Sequence, residues 1–112
     1  MLSASNTLKL SNSDKGEIKL DYNILRKAVL VLRSVNHKLR QSMIKLLEES
    51  EEMTVTELYV KLRLEQSVAS QHLAILRRAG VVATRREGKF IYYSLNKDRI
   101  SEIAGMIDEL VD

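Results

Sequence analysis

Gln66, Ser67, Ser70 and Gln71 are spaced so that a helix drawn through them sets all four side chains on one side. Each is short and neutral, and each offers both a hydrogen-bond donor and an acceptor. Base edges in a DNA major groove require that chemistry, whereas a merely solvated helix more often shows Glu and Lys. Arg77 and Arg78 follow one to two turns later, suited to phosphate oxygens or to the negative end of a helix dipole. Arg85, Arg86 and Lys89 then cluster around Gly88. From Gln66 to Arg99 seven basic residues stand against two acidic ones, a net +5 in a chain whose total is +3. A positive patch on the same stretch as a neutral polar helix is the electrostatic footprint of a nucleic-acid binder.

Other chemistries find little material. The chain has no cysteine, which removes disulfides, thiolate metal sites and thiol redox switching. Its two histidines, His37 and His72, fall at a helix start and on a packing face, where capping and packing are the expected roles. With no converging acid–base pair, no catalytic residue, metal ligand or cofactor is expected. No apolar run approaches the roughly 20 residues of a membrane span, and the first 20 residues lack a signal-peptide core. A cytoplasmic protein with no membrane partner is expected.

The polar face needs a packed face behind it, and Ala69, His72, Leu73 and Leu76 supply one at 100° per residue. Glu65 or Gln66 starts this helix, and Gly80 ends it as the residue able to turn left-handed. Before it, Thr56 reads as the N-cap of a shorter helix with Leu58 and Leu62 inward, ending near Arg63. After it, Val81 to Ala83 and Phe90 to Leu95 form a hairpin turned at Gly88, with Arg86 to Lys89 at its tip. Tyr92 and Tyr93 must point to opposite sides of their strand. Met53-Thr54-Val55 is β-prone and suits a third strand. This succession predicts a winged helix-turn-helix, mainly α with a small β wing of two or three antiparallel strands and about five helices.

Upstream, Asp21 caps a helix from Tyr22 to Val35, in which Leu25, Ala28, Val29, Leu32 and Val35 recur at helical spacing. A second helix runs from His37 to about Ser50, with Leu39, Met43, Leu46 and Leu47 inward and Arg40, Gln41 and Lys45 outward. Glu48 to Glu52 form an acidic connection. The last helix, Lys97 to Val111, carries Ile100, Ile103, Ala104, Ile107, Leu110 and Val111 in one stripe. So regular a stripe near the chain's end seeks a partner helix, and a homodimer built from it and from Leu25, Val29 and Leu32 is expected. Residues 1–20, polar with scattered Leu, read as a flexible N-terminal arm frayed at least to Gly16, and residues 21–112 as the domain. A second reading of the arm has Lys9, Lys15 and Lys19 touching the DNA backbone, or the arm packing on a partner subunit.

From about Tyr22 to Leu110 the chain resembles the ArsR/SmtB family of bacterial and archaeal winged-helix repressors. The resemblance rests on His37-Lys38-Leu39-Arg40, on Thr56-Glu57-Leu58, on Gln66 through Val82 with its Ser-x-x-Ser-Gln-His-Leu and Ala-Gly pattern, and on Arg85 through Leu95. It implies a homodimer on an inverted-repeat operator in double-stranded DNA, nucleoid-associated when bound. Gln66, Ser67, Ser70 and Gln71 would read bases. The departures matter too: Thr54-Val55-Thr56 stands where many members have Cys-Val-Cys, and Lys97 and Arg99 stand near the place of last-helix metal ligands. No metal or thiol response at those sites is therefore expected, and the effector is unknown. The competing reading is a winged-helix interaction module, an anti-regulator without DNA binding.

Overall fold

The computed structural model describes residues 6–14 and 16–112, and the chain falls into two compact units, Met1–Arg33 and Ser34–Asp112. Lys15, one of the expected arm lysines, lies outside the described residues.

The first unit corrects the expectation of an arm without regular structure. Two strands pair antiparallel as a hairpin, β1 (Thr7–Ser13) and β2 (Gly16–Asp21). Leu8 pairs with Leu20 and Leu10 with Ile18, so directly opposed apolar residues share one face, while Lys9 opposite Lys19 and Thr7 opposite Asp21 share the other. Helix α1 (Tyr22–Val35) follows at once. Its cap is as expected: Asn23 and Ile24 donate their backbone N–H groups to the Asp21 carboxylate at 2.9 and 3.2 Å.

The second unit contains α2 (Lys38–Ser50), β3 (Glu52–Thr54), α3 (Val55–Leu62), α4 (Gln66–Arg78), β4 (Val82–Glu87), β5 (Phe90–Leu95) and α5 (Lys97–Val111). The strands order β3-β5-β4, all antiparallel, so the third strand is present and pairs with the far strand of the wing. Met43 and Leu47 of α2, Leu58 of α3, Leu73 and Leu76 of α4, and Val81 close the core, with Ile103 of α5 buried beside them. Truncating one such leucine to Ala costs about 2–5 kcal/mol.

Three local expectations need correction. The N-cap of α3 is Thr54, not Thr56: the Glu57 N–H donates to Thr54 Oγ1 at 3.2 Å, and the Thr54 N–H donates back to Glu57 Oε1 at 2.9 Å. This reciprocal box places a hydroxyl residue three positions before Glu, and Thr56 is only one position before it. Ile103, expected at a subunit interface, is 5% exposed within a single copy of the chain. Arg40, expected to face outward, is 8% exposed.

The buried arginine ties α2 to α4. Arg40 Nε donates to the Ser34 carbonyl at 2.7 Å, and Arg40 Nη1 lies 3.0 Å from His72 Nδ1. A guanidinium can only donate, so His72 Nδ1 accepts and the ring is neutral. The His37 ring stands 4.8 Å from that of His72, its own Nδ1 capping α2 by accepting the Leu39 N–H at 3.1 Å. Burial lowers the His72 pKa below its usual 6.5, with His37 and Arg40 pushing the same way. The unfolded chain therefore takes up this proton first, so stability is complete above pH 6.5 and falls as pH drops from there toward the lowered folded value. His72→Asn keeps an acceptor for Arg40 and does not titrate. Urea unfolding at several values between pH 7.5 and 5 should show a loss of stability in wild type that is reduced in the variant; equal losses would remove His72 from the account.

Candidate nucleic-acid interface

The helix-turn-helix corner is set by Arg63, which ends α3 in the left-handed region at φ 57°, its N–H reaching back to Val60 O at 3.2 Å. The Leu64 N–H then donates to Tyr59 O at 2.9 Å, closing the turn, and α4 begins two residues later. Ala69, Leu73 and Leu76 of α4 are buried completely, and His72 is partly covered. Rotation is thereby fixed: Gln66, Ser67, Ser70, Gln71 and Ala74 are exposed together, with Arg77 and Arg78 beyond them. Arg78 Nε reaches only the Ala74 carbonyl, at 3.4 Å. No side chain caps the start of α4, whose N-cap residue is Glu65.

At the other end, Gly80 takes φ 79°, and a Cβ there would lie 3.4 Å from Arg99 Nε. Arg99 donates through that nitrogen to the Ala79 carbonyl at 3.0 Å and through Nη1 to Glu102 at 2.6 Å. It locks the first turn of α5 onto the end of α4, so its charge, included in the basic patch, serves the fold.

The wing divides its basic residues. Arg85 pairs across the strands with Tyr92, hence on one face, while Arg86 pairs with Ile91 on the opposite one. On its face Arg85 makes a two-pronged contact with Glu52 of β3, both arms at 2.9 Å, and a third with Glu87 at 2.5 Å. Its guanidinium carbon lies 4.6 Å from the Tyr92 ring centre. The Arg85 hydrogen bond holds the Glu52 carboxyl below its usual pKa, and the carboxylates raise that of Arg85 in return. Arg85 was expected to contact DNA with Arg86 and Lys89, yet here it is a strut tying the wing to β3. Glu52, missed in the sequence as part of an acidic connection, is its anchor. The signal was available only through strand order, since Glu52 and Arg85 flank β5.

Arg86 Nε donates to the Gly88 carbonyl at 3.2 Å, bracing the tip, where Gly88 has φ 61°. Lys89 Nζ lies 5.5 Å from the centre of the Phe90 ring. Among the described residues no carboxylate lies within ion-pair reach of Arg77, Arg78, Arg86 or Lys89. Exposed cations without acidic partners at the wing tip and at the end of α4 flank the neutral polar face. The arrangement can hold phosphates at its edges and read base edges between them. Among the described residues no three His, Asp or Glu side chains gather as a metal site, and Thr54 is occupied as a helix cap.

The sequence from residue 37 to 84 matches the family model described as bacterial regulatory protein, arsR family. An uncharacterized HTH-type transcriptional regulator of Methanocaldococcus jannaschii is 36% identical over 84 residues, covering 75% of this chain and 94% of its own. The solved structure of HlyU from Vibrio cholerae is similar with a TM-score of 0.60 at 38% identity, covering 78% of this chain and 90% of that one. The transcriptional repressor PagR of Bacillus anthracis is similar with a TM-score of 0.59 at 31% identity, covering 80% and 99%. With this helix-turn-helix, this wing and these relatives, the chain belongs to the ArsR family of winged helix-turn-helix, DNA-binding transcriptional regulators, and is not an enzyme.

Proposed function

We propose that the protein is a homodimeric repressor that reads an inverted-repeat operator, each copy placing Gln66, Ser67, Ser70 and Gln71 in a major groove. One observation carries this reading: the only helix face of the second unit that is exposed, polar and nearly uncharged lies beside basic residues that, among the described residues, no carboxylate neutralises. Arg77, Arg78, Arg86 and Lys89 hold the backbone, and Arg85 orients the wing. Repression rather than activation is supported by the relative named as a repressor, PagR, although HlyU of Vibrio cholerae is named a transcriptional activator. An interaction-only module has no use for both the polar face and the unneutralised tip. Among the described residues no helix is long and apolar enough to cross a membrane.

Dimerisation follows from the far end of α5. Ile100, Ile103, Ala104 and Ile107 line an apolar groove of about 230 Å³ with Val35 and Ile44, whereas Leu110 and Val111 are 75% and 80% exposed. The exposed turn of α5, with Leu25, Val29 and Leu32 of α1, forms the interface between copies in this reading.

DNA binding is tested by separating specificity from attraction. Gln71→Ala should cost about 1–3 kcal/mol on an operator selected from random sequences and less on random DNA, because a base contact is lost. Lys89→Ala should weaken both equally and lower the slope of affinity against salt by about one counterion. Arg85→Gln should reduce affinity by loosening the wing while leaving that slope in place. A lowered slope for Arg85→Gln would return Arg85 to the phosphate contacts.

The dimer is tested by Leu110→Glu, which replaces an exposed side chain and leaves the core intact. Sedimentation should show monomer, and operator binding should fail because two half-sites about 34–36 Å apart can no longer be held together. A variant that stays dimeric removes α5 from the interface.

A further inference from the structure

We propose that the cleft between the N-terminal hairpin and α1 receives the last turn of α5 from a second copy of the chain. This rests on the homodimer reading above and assigns the hairpin a role within it.

The first unit cannot stand bare. None of its described residues is buried, and it holds eight of the fourteen large apolar side chains that are exposed among the described residues. A two-stranded hairpin alone is marginal in water, and a unit below about 40 residues rarely supports itself without a partner surface. Its cleft, about 620 Å³, lies in the range of roughly 300–1,000 Å³ typical of pockets that bury a ligand-sized group. Ile24, Leu25 and Ala28 of α1, with Leu20, give the cleft its apolar lining, and Thr7, Lys9 and Lys19 of the hairpin give it a polar, basic one. Asp21 also lines it, but its carboxylate is occupied in capping α1. Lys19 is bridged to Glu17 at 3.5 Å, a contact between two exposed groups that does little to quench its charge.

The occupant that fits is apolar and acidic. Over residues 1–33 six basic residues outnumber three acidic ones, and residues 34–112 balance to zero. Within that balanced part the end of α5 departs sharply: Asp108, Glu109 and Asp112 flank Leu110 and Val111, and the last turn contains no basic residue. Carboxylates at a helix C-terminus oppose the helix dipole, a local cost that lysines from outside would offset. A segment with two exposed aliphatic side chains between carboxylates matches a cleft lined by aliphatic side chains of α1 and by lysines of the hairpin. A two-fold exchange between copies would fill both clefts with both helix ends, leaving neither charge set exposed.

The test uses the full chain with exchanged charges. One form carries Lys9→Glu and Lys19→Glu, and a second carries Asp108→Lys and Glu109→Lys, each confirmed folded by circular dichroism. Alone, each should self-associate about tenfold more weakly than wild type, since every cleft then meets like charge. Mixed in equal amounts, with one form enlarged by a tag, they should form heterodimers of wild-type strength, because both clefts again meet opposite charge. Homodimers of unchanged affinity, or weakened forms that fail to combine, would overturn the proposal; a contact within one chain, or a foreign acidic partner, gives that result. A wild type that is monomeric would instead overturn the dimer reading itself, so the two failures are distinguishable.

Discussion

The burial of Ala69, Leu73 and Leu76 is the constraint on which the rest depends. Each is fully enclosed against α2, α3 and the start of the wing, and together they permit α4 only one rotation about its axis. A side chain two or three positions away has no choice of direction, so Ser67, Ser70 and Gln71 are presented outward by the packing of residues that never meet a ligand. Specific reading of base edges tolerates little rotational error, and a helix held by complete burial of three positions has little. The Arg63 turn and the Gly80 exit complete the restraint by fixing both ends of the helix.

Charge is used in two ways, and net charge alone does not separate them. Arg40, Arg85 and Arg99 each make directed hydrogen bonds that join distant parts of the chain: α2 to α4, β4 to β3, and α5 to the end of α4. Arg77, Arg86 and Lys89 remain solvated and available to an anionic surface. The guanidinium suits the first task because its planar fork holds a carboxylate or a carbonyl in fixed geometry. A basic total over residues 66–99 therefore overstates what phosphates can use.

Much of this was legible in the residues, and what was not has physical causes. The amphipathic pattern of α4, the glycines at 80 and 88 and the stripe of α5 are local signals, and local signals place elements well. Arg40 was misread because helical spacing identifies a face without saying whether a polar group on it has found partners inside; Ser34 and His72 supply them from other elements. The pairing of Arg85 was not legible because its partner, Glu52, lies 33 residues away and meets it only through the strand order β3-β5-β4. The cap at Thr54 was readable as a Thr-x-x-Glu box, but Met53-Thr54-Val55 also reads as a β-prone stretch, which moved the expected cap past it to Thr56. The hairpin was readable too, since Leu8-Lys9-Leu10 and Ile18-Lys19-Leu20 alternate with period two around a polar turn, but the polar composition of the stretch argued for an arm.

The two units differ in what holds them, and the difference bears on how such a regulator is assembled. Residues 34–112 enclose their own core, with side chains such as Met43, Leu58 and Leu73 removed from water entirely. The described residues of 6–33 show regular backbone and a capped helix, and none of their described side chains is enclosed. Hydrogen bonds can specify a hairpin, yet each contributes only about 1 kcal/mol net, comparable to the entropy lost in ordering a residue. Apolar burial has to supply the surplus, and in this unit it can come only from surface brought to it. If the proposed second copy supplies that cover, order in the N-terminal hairpin and pairing of the DNA-reading helices become coupled states of one assembly.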